Sequence, residues 1–185
     1  MSLEHDLDPP AQIVDTRIWP PAGRLQPRTD RVRWENGDEA DMNYVEAPDS
    51  VIMVAVDEEQ ATYLVRQWRH PWGQTSWEVP AGTLELDEEP LAGARRELVE
   101  EAGLTGGRWL DLGSARPSAV LSTRQHLFLV QDLKPDRRRP EPYERDMILR
   151  RLPLADALSA ALAGQIAHAG SITALVRAAR HLGLI

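Results

Sequence analysis

The stretch Gly82–Leu104, GTLELDEEPLAGARRELVEEAGL, constrains this chain more than any other. Pro90 suits a first helical turn, where its fixed φ helps and its missing N–H is not needed. Gly103 stands where a helix commonly closes on a left-handed residue. Between them Leu91, Ala94, Leu98 and Ala102 recur every three or four residues, so the spacing predicts one helix over Pro90–Ala102 with a buried apolar stripe. Glu97 and Glu101 lie beside that stripe, and Glu100 flanks it. On an α-helix this spacing sets like charges side by side, at a cost of roughly 0.2–0.5 kcal/mol per pair. Partial burial worsens the repulsion unless a cation answers it. Hard divalent cations such as Mg2+ or Mn2+ take carboxylate oxygens, water and phosphate, so the helix reads as built to hold a metal. Arg96 and Glu88 form an opposite-charge pair able to fasten the preceding loop to the helix. Gly82 follows VPA at an expected strand end, where a missing side chain admits a ligand or ion close to the backbone.

Around this helix the chain is rich in strands. Apolar and β-branched runs predict them at Ile13–Ile18, Arg31–Trp34, Met42–Glu46, Val51–Val56, Thr62–Trp68, Trp109–Leu112, His126–Val130 and Met147–Leu152. The turn signal ENGDEAD, Glu35–Asp41, makes the second and third a hairpin. Helical spacing recurs at Leu154–Ala163 and Ser171–Leu182. KPDRRRPEP, Lys134–Pro142, carries too much proline and charge for regular structure and reads as an exposed loop. No βαβ rhythm repeats, so the expected class is α+β with a mixed sheet. The expected division is an N-terminal β-strand section over 1–48 and a main domain over 49–185.

Composition excludes several alternatives. With 185 residues of which 42% are hydrophobic, the chain has enough apolar material for a core. It has no cysteine, so disulfides and thiolate metal sites are ruled out. The five histidines show no metal-ligand spacing. A net charge of −8 argues against a broad nucleic-acid surface. No run approaches the ~18 apolar residues of a membrane span. Met1–Pro10 is acidic and contains proline, unlike a secretory signal, and a cytoplasmic protein is expected.

Gly82, Glu88, Arg96-Glu97-Leu98, Glu100-Glu101 and Gly103-Leu104 fill all nine specified positions of the Nudix box at the right spacing. The resemblance extends to LVRQWRHP and WEVPAG before the box, STRQHLFLVQDL after it, and LPLADAL with GQIAHAGSITAL near the C-terminus. These resemble the ADP-ribose pyrophosphatase-like members of the Nudix hydrolase family. That family implies an α/β/α sandwich around a mixed sheet, and N-terminal strands that serve a homodimer. It implies Mg2+-dependent (or Mn2+-dependent) hydrolysis of the diphosphate in ADP-ribose or a related nucleoside diphosphate sugar, yielding a nucleoside monophosphate and a sugar phosphate. The neighbouring alternatives are GDP-mannose, UDP-glucose, a dinucleotide or an oxidised nucleotide as substrate, or a module that binds nucleotide sugars without turnover. Carried over by position, Glu97 and Glu101 are the principal metal ligands, with Glu100 and the Ala81 carbonyl adding oxygens. Glu88, Arg96, Gly82 and Gly103 are structural.

The resemblance places the general base on a loop before the last strand. Glu144 is the first candidate, then Glu141 and Asp146, with a box glutamate as the alternative. Arg69 matches the arginine that ends the family's Q-x-R strand, suited to a bidentate grip on a phosphate or terminal ribose. Glu78 is expected to meet ribose hydroxyls or a metal, or to pair with Arg69 across the strands. Arg66 and Arg124 are further substrate-contact candidates against ordinary surface roles. Trp19 and Trp34 offer an aromatic platform for a base, against core or interface packing. The family's Pro-Gly loop after the box is altered here, since Pro117 stands in ARPSAVLS without a following glycine.

Overall fold

The computed structural model describes residues 9–140 and 146–185. In chain order its elements are β1 (Ala11–Ile18), β2 (Gln26–Trp34), β3 (Glu39–Glu46), β4 (Ser50–Ala55), β5 (Ala61–Arg69), β6 (Gln74–Glu78), β7 (Ala81–Thr83), α1 (Pro90–Glu97), β8 (Leu104–Ala115), β9 (Gln125–Pro135), β10 (Ile148–Pro153), α2 (Leu154–Leu162) and α3 (Ala169–His181). A 3-10 turn at His70–Trp72 follows β5, and a π-helical turn at Leu98–Ala102 continues α1. The described residues form two compact units, one of 9–47 with 118–122, the other of 48–117 with 123–140 and 146–185.

The larger unit is a three-layer sandwich. Its sheet runs β7-β4-β9-β8, with β4 and β9 parallel and the outer pairs antiparallel. Alternation along β4 divides the core in two. Val51, Met53 and Ala55 pack with Ala94, Leu98 and Ala102 of the box helix, while Ile52, Val54 and Val56 pack with Leu154, Ala157, Ala174, Leu175 and Ala178 of α2 and α3. Both faces of the parallel pair are therefore covered by helices, and β4 reads as a continuous apolar run for that reason. A second, antiparallel sheet of order β10-β5-β6 completes the unit. No helix among the described residues is long and apolar enough to cross a membrane.

The expected buried stripe of the box helix is present, with Ala94 and Leu98 fully buried and Ala102 nearly so. The helix does differ from the expected form. It is α-helical only through Glu97, and the next five residues widen into a π turn closed by Gly103 at φ +64°. Leu98 and Ala102 stay in the core across this turn, and Glu101 lies on the side of β7. Two short strands, β6 and β7, were not predicted as separate runs by alternation. Within the KPDRRRPEP segment, Lys134 and Pro135 extend β9, and Asp136 and Arg139 donate backbone N–H bonds to the carbonyls of Gly103 and Glu100, at 2.8 and 3.3 Å.

The smaller unit is the antiparallel sheet β1-β2-β3. The expected hairpin joins β2 to β3, with Gly37 at φ +88° in its turn. Residues 118–122 belong here because Val45 N–H donates to Val120 O, and Ser122 N–H to Val45 O. The pairing rows Ile13–Val32–Ala40, Thr16–Asp30–Met42 and Ile18–Arg28–Tyr44 define one face, and the other carries Arg31, Arg33, Glu39 and Asp41 in mutual ion pairs. Among the described residues of this unit only Asp30 is buried, so the sheet has no apolar interior of its own.

Candidate active site

The box helix, the π turn and β7 bring the acidic residues together. Glu101 is 1% exposed and Glu97 8% exposed, although both are carboxylates. Glu101 Oε2 accepts the Ala81 N–H at 2.8 Å, which sets the Ala81 peptide beside the carboxylates. Glu97 lies against Gly82, where a Cβ built on the glycine would fall 1.9 Å from the Glu97 carboxyl carbon. Gly82 has an ordinary φ, so its role here is space rather than conformational freedom.

Arg96 binds the group together. Its guanidinium donates to both oxygens of Glu88 at 2.9 and 2.8 Å, to Glu97 Oε1 at 2.7 Å, to Glu100 Oε2 at 2.9 Å and to Thr83 O at 3.2 Å. The Glu88 hydrogen bonds, with those of Glu97 and Glu100, hold its pKa well above the ordinary arginine value against the opposing effect of burial. Glu88 also accepts the Glu85 N–H at 2.9 Å, so one side chain staples the loop to the helix. The crowding anticipated from the sequence is thus answered in part by Arg96.

The donor set suits a hard divalent cation: three carboxylates on one rigid segment, two of them largely buried, beside a peptide group and a glycine that leaves room for Glu97. In this arrangement Glu97 and Glu100 converge on Arg96 Nη1, and no three Asp, Glu or His side chains among the described residues are grouped closely enough to enclose an ion. Metal binding at this set therefore requires carboxylate reorientation from Arg96, a change within reach of flexible glutamate side chains.

Three residues before Ala81, Glu78 on β6 is 0% exposed. It receives a fork from Arg69 on β5, with Nε to Oε1 at 2.8 Å and Nη2 to Oε2 at 2.6 Å. Arg69 keeps about a third of its side chain exposed. Arg66 does not join this pair. It is three residues from Arg69 on the same strand, faces the other side, and lies 5.8 Å from the Trp77 ring. Arg124 is exposed, with its backbone N–H held by Asp49 Oδ1 at 2.7 Å. Glu141 and Glu144 fall outside the described residues; Asp146 is exposed. In the smaller unit Trp19 stays 47% exposed with the Arg17 guanidinium 5.5 Å over its ring, and lines a groove with Tyr44 and Val45.

Sequence reading missed four contributors. Gly93 lets the box loop lie on α1, since a Cβ there would meet Leu84 Cδ2 at 2.3 Å. Asp49 ties the Leu84 and Arg124 segments to β4. His168 and Ser171 of the α3 N-terminus meet Glu78 and Val79, 90 or more residues away in sequence.

Residues 46–174 match the NUDIX domain family model. The chain is 34% identical over 155 residues to the ADP-ribose pyrophosphatase of Mycobacterium tuberculosis (strain ATCC 25618 / H37Rv), covering 80% of this chain and 73% of that protein. It is 35% identical over 103 residues to the ADP-ribose pyrophosphatase of Bacillus subtilis (strain 168), covering 55% of this chain and 56% of that one. A crystal structure described as an ADP compounds hydrolase superposes with a TM-score of 0.83 at 17% identity, over 97% of both chains, a likeness of fold.

Proposed function

We propose that this chain, which belongs to the NUDIX family and is a pyrophosphohydrolase, cleaves the diphosphate of ADP-ribose or a related nucleoside diphosphate sugar with Mg2+ as its cation. The products are a nucleoside monophosphate and a sugar phosphate. One observation carries the reading: the largely buried carboxylates of Glu97 and Glu101, held at β7 by Gly82 and the Ala81 N–H. Burying carboxylates is costly unless opposite charge or hydrogen bonds answer them, and Arg96 and the Ala81 N–H answer these only in part.

Glu97, Glu100, Glu101 and the Ala81 carbonyl would hold the divalent ion, which supplies charge neutralisation to the diphosphate and a more acidic water. Arg96 aims Glu97 and Glu100, and Glu88 aims Arg96. Arg69, set by Glu78 and partly exposed, takes the anionic or ribosyl end of the substrate. Proton removal from the attacking water falls to Glu144 or Glu141, on the segment whose flank is fastened by Asp136 and Arg139 to the end of the box helix. The names of the two bacterial relatives favour ADP-ribose among the possible substrates.

The same reading makes the protein a homodimer. The smaller unit leaves Ile13, Ile18 and Met42 at 62%, 58% and 50% exposed on one face of a three-stranded sheet without an interior, and a second copy of the chain is its natural cover. Light scattering that finds only a monomer at micromolar concentration removes this part.

The deciding experiment is a panel of nucleoside diphosphate derivatives with Mg2+, run on wild type and Glu101→Gln. Hydrolysis of ADP-ribose by wild type and a loss of about 10²–10³-fold in kcat for the variant are expected, the scale of removing one oriented charge-stabilising group. Equal turnover by Glu101→Gln refutes the site.

A further inference from the structure

The box residues leave one buried charged cluster without a task. Glu78 has no exposed surface, yet it is a carboxylate in the interior. Arg69 answers its charge with a two-pronged fork at 2.8 and 2.6 Å. A buried ion pair holds its geometry only when its remaining lone pairs find donors. The further partner comes from α3: His168 Nδ1 stands 3.2 Å from Glu78 Oε2 and 2.9 Å from Ser171 Oγ. Ser171 Oγ in turn accepts the Val79 N–H at 3.1 Å, next to Glu78 on the chain.

The proton on His168 follows from this geometry. Burial lowers its pKa, with Glu78 acting in the opposite direction and Arg69 reinforcing burial, so the imidazole is neutral at pH 7. A bare Nδ1 lone pair 3.2 Å from a carboxylate oxygen would repel it, whereas Nδ1–H is attracted. The ring therefore carries its proton on Nδ1, directed at Ser171 Oγ, with its positive end facing Glu78 Oε2 at 3.2 Å.

Two further features fix the ring. Gly170 allows the first turn of α3 to press onto β4 and β9, since a Cβ there would meet Ile52 Cδ1 at 2.3 Å and Gln125 Oε1 at 2.8 Å. Trp72, three residues after Arg69, sets its ring 6.4 Å from the imidazole at a 41° tilt. Arg69, Glu78, His168 and Trp72 thus close a circuit that returns along the chain to Arg69.

We propose that His168, supported by Ser171, is a positioning residue for substrate capture: it holds Glu78, and through Glu78 the Arg69 guanidinium, in the orientation that receives the anionic substrate. This rests on the reading above, in which Arg69 contacts substrate. The role is pre-organisation, which affects binding more than the chemical step.

The test is a double-mutant cycle on ADP-ribose hydrolysis with His168→Ala, Arg69→Ala and the pair, plus His168→Asn, whose side-chain amide can donate where Nδ1–H does. Expected are a KM raised about tenfold by His168→Ala with kcat within about threefold, recovery of most of that loss by His168→Asn, and under about twofold further change when His168→Ala is added to Arg69→Ala. An unchanged KM, additive effects, or no recovery with asparagine overturns the proposal while leaving the Arg69 reading intact. If Arg69→Ala itself leaves KM unchanged, the substrate contact is wrong and the positioning role falls with it. Should His168→Ala fail to fold, the imidazole 15N spectrum of the wild type decides: the Nδ1–H tautomer is expected, and an Nε2–H tautomer overturns the proposal.

Discussion

Gly82→Ala separates the site from the fold. The added methyl carbon would lie 1.9 Å from Glu97 Cδ and 2.1 and 2.2 Å from its two oxygens. Ordinary contact begins near 3.4 Å, so the carboxyl group must retreat by about 1.5 Å (3.4 − 1.9). The obstacle is the far end of a flexible side chain, and Gly82 has an ordinary φ, so the backbone has no reason to yield. Stability should change little, by roughly 1 kcal/mol for the strained Arg96 contact, or about 2–4 °C in Tm for a chain of this size. Activity should change much more, because an ångström of misplacement at a reacting centre costs on the order of 10²-fold, equivalent to about 2.7 kcal/mol of barrier. The assay is initial-rate hydrolysis of ADP-ribose across a Mg2+ titration, with thermal melts on the same preparations. Gly93→Ala is the matched control, since its methyl would strike the buried Leu84 side chain at 2.3 Å and should lower Tm more than Gly82→Ala does. A Gly82→Ala enzyme within threefold of wild-type kcat refutes the assignment of Glu97 to the cation, as does a loss that only tracks the unfolded fraction.

Arg96→Lys keeps one charge but replaces a planar fork by a point donor, and the five bonds of Arg96 span three carboxylates and a carbonyl. A fall of about 10–100-fold in activity or Mg2+ affinity is expected, measured by the same titration; retention of full activity shows that charge alone suffices. Protonation of His168 gives a pH signature in stability. Its folded pKa lies below the ordinary 6.5, so the unfolded chain binds that proton first as pH falls. Stability is therefore intact above about 6.5 and is lost as pH drops from there toward the folded pKa. Thermal melts from about pH 7 to pH 5 should show a smaller decline in His168→Asn than in wild type; parallel curves contradict a neutral buried imidazole.

Much of the architecture was legible because it follows local rules. Pro90 and Gly103 bracket the box helix by φ alone, Ala94 and Leu98 mark its buried face, and the Gly37 turn joins β2 to β3. Arg66 was expected beside Arg69 as a substrate contact, whereas residues an odd number apart in one strand face opposite sides, and Arg66 lies over Trp77. The π turn was not legible, because the Leu91, Ala94, Leu98, Ala102 spacing fits a regular α-helix and carries no mark of the wider hydrogen bonding. The pairing of Glu78 with Arg69 was legible, but its second neighbour was not: His168, held by Ser171, reaches Glu78 across a sequence distance that no local pattern spans. Arg96 was expected to pair with Glu88; that it also holds the neighbouring Glu97 and Glu100 of its own helix, and the Thr83 carbonyl, was not read from the sequence.

The π turn at Leu98–Ala102 has a consequence for protein engineering. A designer who grafted Gly82–Leu104 onto an ideal helical scaffold would copy every residue but not the π turn that carries Glu100 and Glu101. An unbroken α-helix, with fewer residues per turn, would change the direction in which Glu101 leaves the helix relative to Pro90–Glu97, and Glu101 is the carboxylate that accepts the Ala81 N–H. A transplant needs the widened turn as well, together with a sheet edge that rewards it. The portable unit is the motif with its mould.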